Sequence, residues 1–294
     1  MWSSKPDWLK VKLPAHKNFF DVSALLKENG LNTICQSARC PNISECWTAK
    51  TATFLILGDT CTRACAFCAV KKGTPVPPSE GEPGRVAEAV RALGLDYAVI
   101  TSVTRDDLPD GGAALFAGTV RAVRLARPGT KVEVLVPDFQ GREEPLRTVL
   151  DAKPDILNHN LEVPESLYPH INRPMANYGR SLRLLERAKE LGAATKSGLM
   201  IGLGERLETI LQTFSDLRKA GCDLLTIGQY LRPSRDNAPV EKYYTPEEFN
   251  ELKSVALDFG FLDVESGPLV RSSYQAHKLY RTLQDDTWGD ACAT

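Results

Sequence analysis

The sequence carries almost no net charge, because 36 lysines and arginines nearly cancel 37 aspartates and glutamates to leave −1. Bulk electrostatics therefore give no reason to expect a nucleic acid or an anionic membrane as partner. No run approaches the ~18 apolar residues that span a bilayer, and the opening stretch Met1 to Trp8 lacks an apolar core of signal-peptide length. The expectation is a soluble, cytoplasmic protein; an organellar protein already relieved of its targeting peptide would read the same way. Without a secretory signal, the eight cysteines do not read as a disulfide framework. A reducing compartment keeps thiols free and turns such groups into metal sites.

Six of the eight cysteines lie between positions 35 and 68, in two groups of three. The second group, Cys61, Cys65 and Cys68, is written CxxxCxxC with Phe67 just before its last member. It lacks a fourth thiol. Structural zinc closes tetrahedrally on four protein ligands, whereas a four-iron cluster on three cysteines leaves one iron for a ligand that is not protein. A lone CxxC would read instead as a zinc site or a redox disulfide. The first group, Cys35, Cys40 and Cys46, is also one ligand short of a four-cysteine cluster. Three unrelated buried thiols would be the bland alternative, but three in twelve loop-like residues, just before another triplet, favour a second metal centre.

Residues 1–50 lack steady periodicity beyond a short helix expected over Asp21 to Asn29. After that the chain becomes regular. Strands are expected at Thr51 to Leu57, Tyr97 to Thr101, Val132 to Val136, Ile156 to Leu161, Thr195 to Ile201 and Leu224 to Ile227. Helices alternate with them, for example where Val86, Ala89, Val90 and Leu93 recur at i, i+3, i+4 and i+7, and where Thr245 caps a helix with Pro246 in its first position. Such alternation implies a parallel sheet with right-handed crossovers, which could be doubly wound or a barrel. Nearly all the unusual residues fall just after a strand, and in a barrel those ends converge on one mouth. The fold expected is α/β: a partial (β/α)6 TIM-type barrel over 51–260, with an N-terminal extension (1–50) carrying the first cysteine triplet and a C-terminal extension (261–294), both covering the barrel mouth.

CxxxCxxC with its aromatic resembles the cluster loop of the radical S-adenosylmethionine (SAM) enzymes, whose open iron binds the amino and carboxylate groups of SAM. That resemblance gives the polar strand ends expected roles. Thr104, Gly111 and Gly112 follow the second strand, where these enzymes hold the SAM amino group with a glycine pair; an ordinary surface turn is the alternative, and the departure from Gly-Gly-Glu leaves no claim for Asp110. Asn160 and Glu162 alternate to one side of an extended chain after the fourth strand, with His159 facing the other way. A carboxylate there can accept from both hydroxyls of a ribose, or the strand end is simply solvated. Arg173 pairs with the SAM carboxylate or is a surface arginine. Gly198 to Glu205 resembles the GxIxGxxE element, in which Gly202 and Glu205 belong to a strand end lying against adenine; a tight turn into a helix is the alternative. Gln229 to Pro233 adds aromatic and cationic groups with less to identify them.

Arg271-Ser272-Ser273-Tyr274 reads alone as a serine-capped helix start. Yet the tail could supply the ligand the first triplet lacks, with Cys292 as the softer competitor; Cys222 reads as a small buried apolar residue. Together, CxxxxCxxxxxC, CxxxCxxC, the βα pattern and RSSY resemble the lipoyl synthases over nearly the whole length. The resemblance implies that Ser273 ligates the auxiliary cluster, although spacing does not separate it from Ser272. It implies two 4Fe–4S clusters, two SAM molecules per product, and sulfur insertion at C6 and C8 of an octanoyl-lysine, with the auxiliary cluster as sulfur donor. The implied partners are an octanoylated carrier domain of the glycine cleavage H protein or 2-oxoacid dehydrogenase E2 type, a reductant such as flavodoxin or ferredoxin, and iron–sulfur assembly proteins. Competing readings are another radical SAM sulfur inserter (biotin-synthase-like or methylthiotransferase-like), an iron–sulfur electron carrier, and a zinc-stabilised binding module.

Overall fold

The structure is a computed structural model that describes residues 5–11, 13–172 and 176–291, the side chains of 284–291 excepted. In chain order its elements are α1 (Lys17–Glu28), β1 (Asn32–Thr33), α2 (Ile34–Ser37), α3 (Ile43–Thr48), β2 (Thr53–Ile56), β3 (Thr60–Cys61), β4 (Lys71–Lys72), α4 (Glu82–Leu93), β5 (Tyr97–Ser102), α5 (Ala113–Ala126), β6 (Lys131–Leu135) and α6 (Glu143–Leu150). They continue with β7 (Ile156–Asn158), α7 (Tyr178–Glu190), β8 (Thr195–Ile201), α8 (Leu207–Lys219), β9 (Leu224–Gln229), α9 (Pro246–Asp258), β10 (Asp263–Gly267) and α10 (Ala276–Ala291). Among the described residues no helix is long and apolar enough to cross a membrane.

One sheet runs in the order β1-β2-β5-β6-β7-β8-β9-β10. From β2 to β10 every neighbour is parallel, and β1 pairs antiparallel with β2, through Asn32 with Leu55 and Thr33 with Phe54. The barrel is therefore partial and open between its two edge strands. The six expected strands are present, and Asp263–Gly267 adds a seventh parallel one inside the stretch assigned to the C-terminal extension. Its sequence DVESG has no apolar alternation, so periodicity did not reveal it; pairing with β9 makes it a strand.

Local chemistry explains the helices. Thr245 Oγ1 accepts from Glu248 N, and the Glu248 carboxylate accepts from Thr245 N, a reciprocal cap at the start of α9. Gly94 ends α4 at φ 66°, the left-handed cap that glycine adopts freely. The apolar stripes close on the sheet in two clusters, one under β2, β5 and β6 around Phe54, Ile100 and Phe116, the other under β8 and β9 around Ile201, Phe214 and Phe249.

The N-terminal extension brings Cys35 and Cys40 to the barrel mouth as expected, but the C-terminal helix sits elsewhere. Leu279 of α10 packs on Ile156 and Leu224, the first residues of β7 and β9, and Tyr280 stacks near Tyr97 at the start of β5. The last helix thus plugs the end of the barrel opposite the strands' carboxyl ends. The segment before it lines the cavity at the mouth through Val270, Arg271, Ser272 and Ser273, and Ala276, His277, Lys278 and Arg281 of the helix border a second cavity beside it. The N-terminal extension is tied to the barrel by the β1–β2 pairing and by the packing of α2 on β2 and of α1 on α4.

Candidate active site

The CxxxCxxC loop leaves the sheet through a small ribbon in which Cys61 of β3 pairs with Lys72 of β4. Its backbone is pinned from outside: Ala66 N donates to Ile171 O at 2.7 Å, and Asn237 Nδ2 donates to Ala66 O at 3.0 Å and Cys68 O at 3.1 Å. Two amides point at the first sulfur, Arg63 N at 3.4 Å and Thr104 N at 3.3 Å from Cys61 Sγ. Beneath the loop the buried Arg63 guanidinium donates to Asp106 at 2.7 and 2.9 Å and to Asp138 at 2.6 Å. Burial opposes ionisation of Asp138, but Arg63 overrides it and holds the carboxyl below the usual range.

A cavity of about 300 Å³ opens at the carboxyl ends of the strands. All three cysteines of the loop line it, together with Thr104, Asn160, Glu162, Gly198 and Met200. Burial pushes the Cys68 thiol up to about 11, with Cys61 and Glu162 adding repulsion, so this sulfur is a poor thiolate until a cation joins it. The walls fit a polar, flat ligand. Asn160 Oδ1 and Ser102 Oγ are buried without a hydrogen-bond partner, and both residues line the cavity. A Cβ added at Gly198 would stand 2.7 Å from Asn160 Oδ1 and 2.8 Å from Thr226 Oγ1. Glu162 holds φ 74° without being glycine, a strained conformation of the kind that clusters at ligand sites. His159 faces away as expected, its ring bonded to Val136 O at 2.8 Å and Ser181 Oγ at 2.9 Å.

A second cavity, of about 530 Å³, is lined by Cys35, Cys40, Cys46 and Ser273. Thr33 caps α2 by accepting from Gln36 N, which sets Cys35 at the helix start, and α3 carries Cys46. Burial raises all three thiols; Cys46 is pushed up to about 12, with Cys35 and Cys40 adding repulsion. The returning tail is bracketed by Asn42 Nδ2 donating to Leu269 O at 2.6 Å and Tyr274 OH donating to Glu45 Oε1 at 2.9 Å. Ser272 accepts from Asn160 Nδ2 at 2.7 Å and lines only the first cavity, whereas Ser273 lines both. Cys35, Cys40 and Arg271 also border both cavities, so the two are neighbours. Among the described residues no three His, Cys, Asp or Glu side chains converge as they would on one metal ion.

Gly111, Gly112, Gly202 and Glu205 border neither cavity. A Cβ at Gly112 would stand 2.2 Å from Leu57 Cδ1, so the glycine serves close packing. The Glu205 carboxylate accepts from Gly202 N at 2.6 Å and Leu203 N at 2.9 Å and ties the turn. Thr104 turns its amide to Cys61. Cys222 is fully buried, and burial raises its thiol. Arg173 and Cys292 lie outside the described residues. Ser102, Met200, Asn237 and Arg271 were not singled out from sequence, although Met200 and Arg271 stood within quoted motifs.

The pattern of the Radical SAM superfamily matches residues 55–228. The chain is 56% identical over 276 residues to a lipoyl synthase of Koribacter versatilis, covering 93% of this chain and 90% of that one. It is 54% identical over 276 residues to a lipoyl synthase of Rubrobacter xylanophilus, covering 93% and 86%. A third lipoyl synthase, from Bacillus cytotoxicus, is 52% identical over 289 residues, covering 97% of each. Among solved structures, the fold is similar to the FeFe-hydrogenase maturase HydG of Carboxydothermus hydrogenoformans (TM-score 0.57, 17% identity, covering 70% of this chain and 50% of that one). It is also similar to Streptococcus suis SuiB bound to S-adenosylmethionine (TM-score 0.55, 12% identity, covering 82% and 57%).

Proposed function

The chain belongs to the lipoyl synthases of the radical SAM superfamily, and from that premise we propose how its residues share the insertion of two sulfur atoms into a protein-bound octanoyl-lysine. Membership brings a 4Fe–4S cluster, SAM and an octanoylated carrier protein as substrate. Breaking unactivated C–H bonds at C6 and C8 is beyond any side-chain acid or base. When bound, the cluster and SAM supply the radical that removes those hydrogens, once per sulfur.

Cys61, Cys65 and Cys68 would hold the SAM-binding cluster, with the Arg63 and Thr104 amides stabilising charge on the Cys61 sulfur. Asn160 and Glu162 would take the ribose hydroxyls, and the flat wall at Gly198 would lie against the adenine. Cys35, Cys40, Cys46 and Ser273 would hold the auxiliary cluster, which is consumed as the sulfur source. The observation carrying this reading is the pair of adjoining cavities, each bordered by its own cysteine triplet, with Ser273 alone of the two serines reaching both.

A hard oxygen ligand matches a soft cluster poorly and leaves more readily than thiolate. Ser273→Cys should therefore assemble both clusters yet insert sulfur roughly ten-fold more slowly, the equivalent of about 1.4 kcal/mol in the barrier. Single-turnover assays with an octanoyl-lysyl peptide would measure this. Product at the parent rate would remove oxygen ligation from the explanation. The carrier as glycine cleavage H protein or E2 domain, the flavodoxin or ferredoxin reductant and the assembly proteins are proposed on family grounds.

A further inference from the structure

Arg271 stands where the two cavities meet and borders both. Its setting differs from that of the buried arginines. Arg63 faces Asp106 and Asp138, and Arg105 faces Asp107, whereas Arg271 has no carboxylate partner among the described residues. Among the described residues its guanidinium makes one hydrogen bond, from Nη1 to the carbonyl of its own neighbour Val270 at 2.6 Å. A guanidinium offers five donors, and a desolvated cation needs a counter-charge. The group is also bedded with care: a Cβ added at Gly228 of β9 would stand 2.2 Å from Val270 O and 3.5 Å from Arg271 Nη1, so only glycine leaves room for it.

Arg271 shares the second cavity with Cys35, Cys40 and Cys46, which are anionic as cluster ligands; the carboxylates that also line it, Glu45 and Asp96, are engaged by Tyr274 and Arg127. We propose that Arg271 is the counter-ion of the auxiliary iron–sulfur cluster and that its charge raises that cluster's reduction potential. The proposal rests on the assignment of Cys35, Cys40, Cys46 and Ser273 as a cluster site. A cluster with four anionic ligands is anionic overall, and a fixed cation beside it favours the more negative, reduced state. That bias serves sulfur transfer. When a carbon-centred radical bonds to a cluster sulfide, carbon supplies one electron of the C–S bond and sulfide the other. The second electron of the sulfide lone pair passes to iron, so one iron(III) becomes iron(II). A potential raised by Arg271 favours that acceptance. The alternative anion is the SAM carboxylate, since Arg271 also borders the first cavity.

The test uses the full chain with Cys61, Cys65 and Cys68 replaced by alanine, so that only the auxiliary cluster remains, and follows its midpoint potential by anaerobic EPR titration. Arg271→Met should shift the midpoint negative with iron and sulfide per chain retained, and Arg271→Lys should bring most of the shift back. An unchanged midpoint in Arg271→Met overturns the proposal. So does a ten-fold loss of SAM affinity in the otherwise intact Arg271→Met chain with the midpoint unmoved. Should Arg271→Met fail to hold the cluster, Arg271→Lys decides: retention supports a charge role, and loss in both contradicts it. If the triple-alanine chain carries no iron and sulfide before Arg271 is touched, the second-cluster assignment itself has failed and takes this proposal with it.

Discussion

At the scale of single residues, the cysteines were legible because thiol spacing is a local property, and local properties survive in sequence. The groups that complete their surroundings were not. Ser272 meets Asn160 across 112 positions of chain, and Arg63 finds Asp106 and Asp138 on two other strand ends. Only folding brings such partners together. Gly198 marks where this matters most for the cofactor: a methyl there meets Asn160 Oδ1 and Thr226 Oγ1, both inside 3 Å. Overpacking of this kind costs on the order of 1–3 kcal/mol, so Gly198→Ala should weaken SAM binding by roughly ten-fold or more, with an unchanged circular dichroism spectrum; calorimetric titration with SAM would check it. Asp138 gives a pH signature. Its folded-state pKa is lowered, so its stabilising contribution is present above the ordinary carboxylate pKa of about 3.9 and is lost as pH falls through the lower folded value. Asp138→Asn should therefore cost about 2 kcal/mol near neutral pH, and urea titrations should show the gap to the parent closing below pH ~4.

At the scale of elements, six strands and their intervening helices followed from apolar periodicity, because buried parallel strands need continuous apolar runs. Two strands of the main sheet escaped it. β1 is two residues long, and β10 is built from Asp263, Val264, Glu265, Ser266 and Gly267, of which only Val264 is buried. Both are edge strands, where pairing rather than burial decides. The destination of α10 was equally hidden, since an amphipathic stripe states that a face is buried and leaves open against what. Leu279 supplies the answer at the amino ends of β7 and β9. Removing it leaves a cavity in a packed cluster, so Leu279→Ala should destabilise the fold by about 2–4 kcal/mol. It should leave SAM affinity unchanged, because the site lies at the other end. A comparable loss of SAM binding in a folded Leu279→Ala protein would place α10 at the mouth instead.

At the scale of the whole molecule, the order of the chain acquires a physical reason. The barrel contributes one open site at its mouth. The N-terminal extension sets a second cysteine triplet beside it, pairing through β1 with the first barrel strand, and the tail passes between them so that Ser272 touches one cavity and Ser273 both. On the proposed assignment, radical formation and sulfur supply would thereby be neighbours, as an octanoyl chain reacting at two nearby carbons requires. Sequence gave the two triplets and their order, but their adjacency is a tertiary fact. The most direct test replaces Cys35, Cys40 and Cys46 with alanine and incubates the anaerobic protein with SAM, reductant and an octanoyl-lysyl peptide, reading peptide mass and methionine release together. This account predicts that methionine is still released and that no sulfur is added, while the parent adds two; sulfur added by the variant would contradict it.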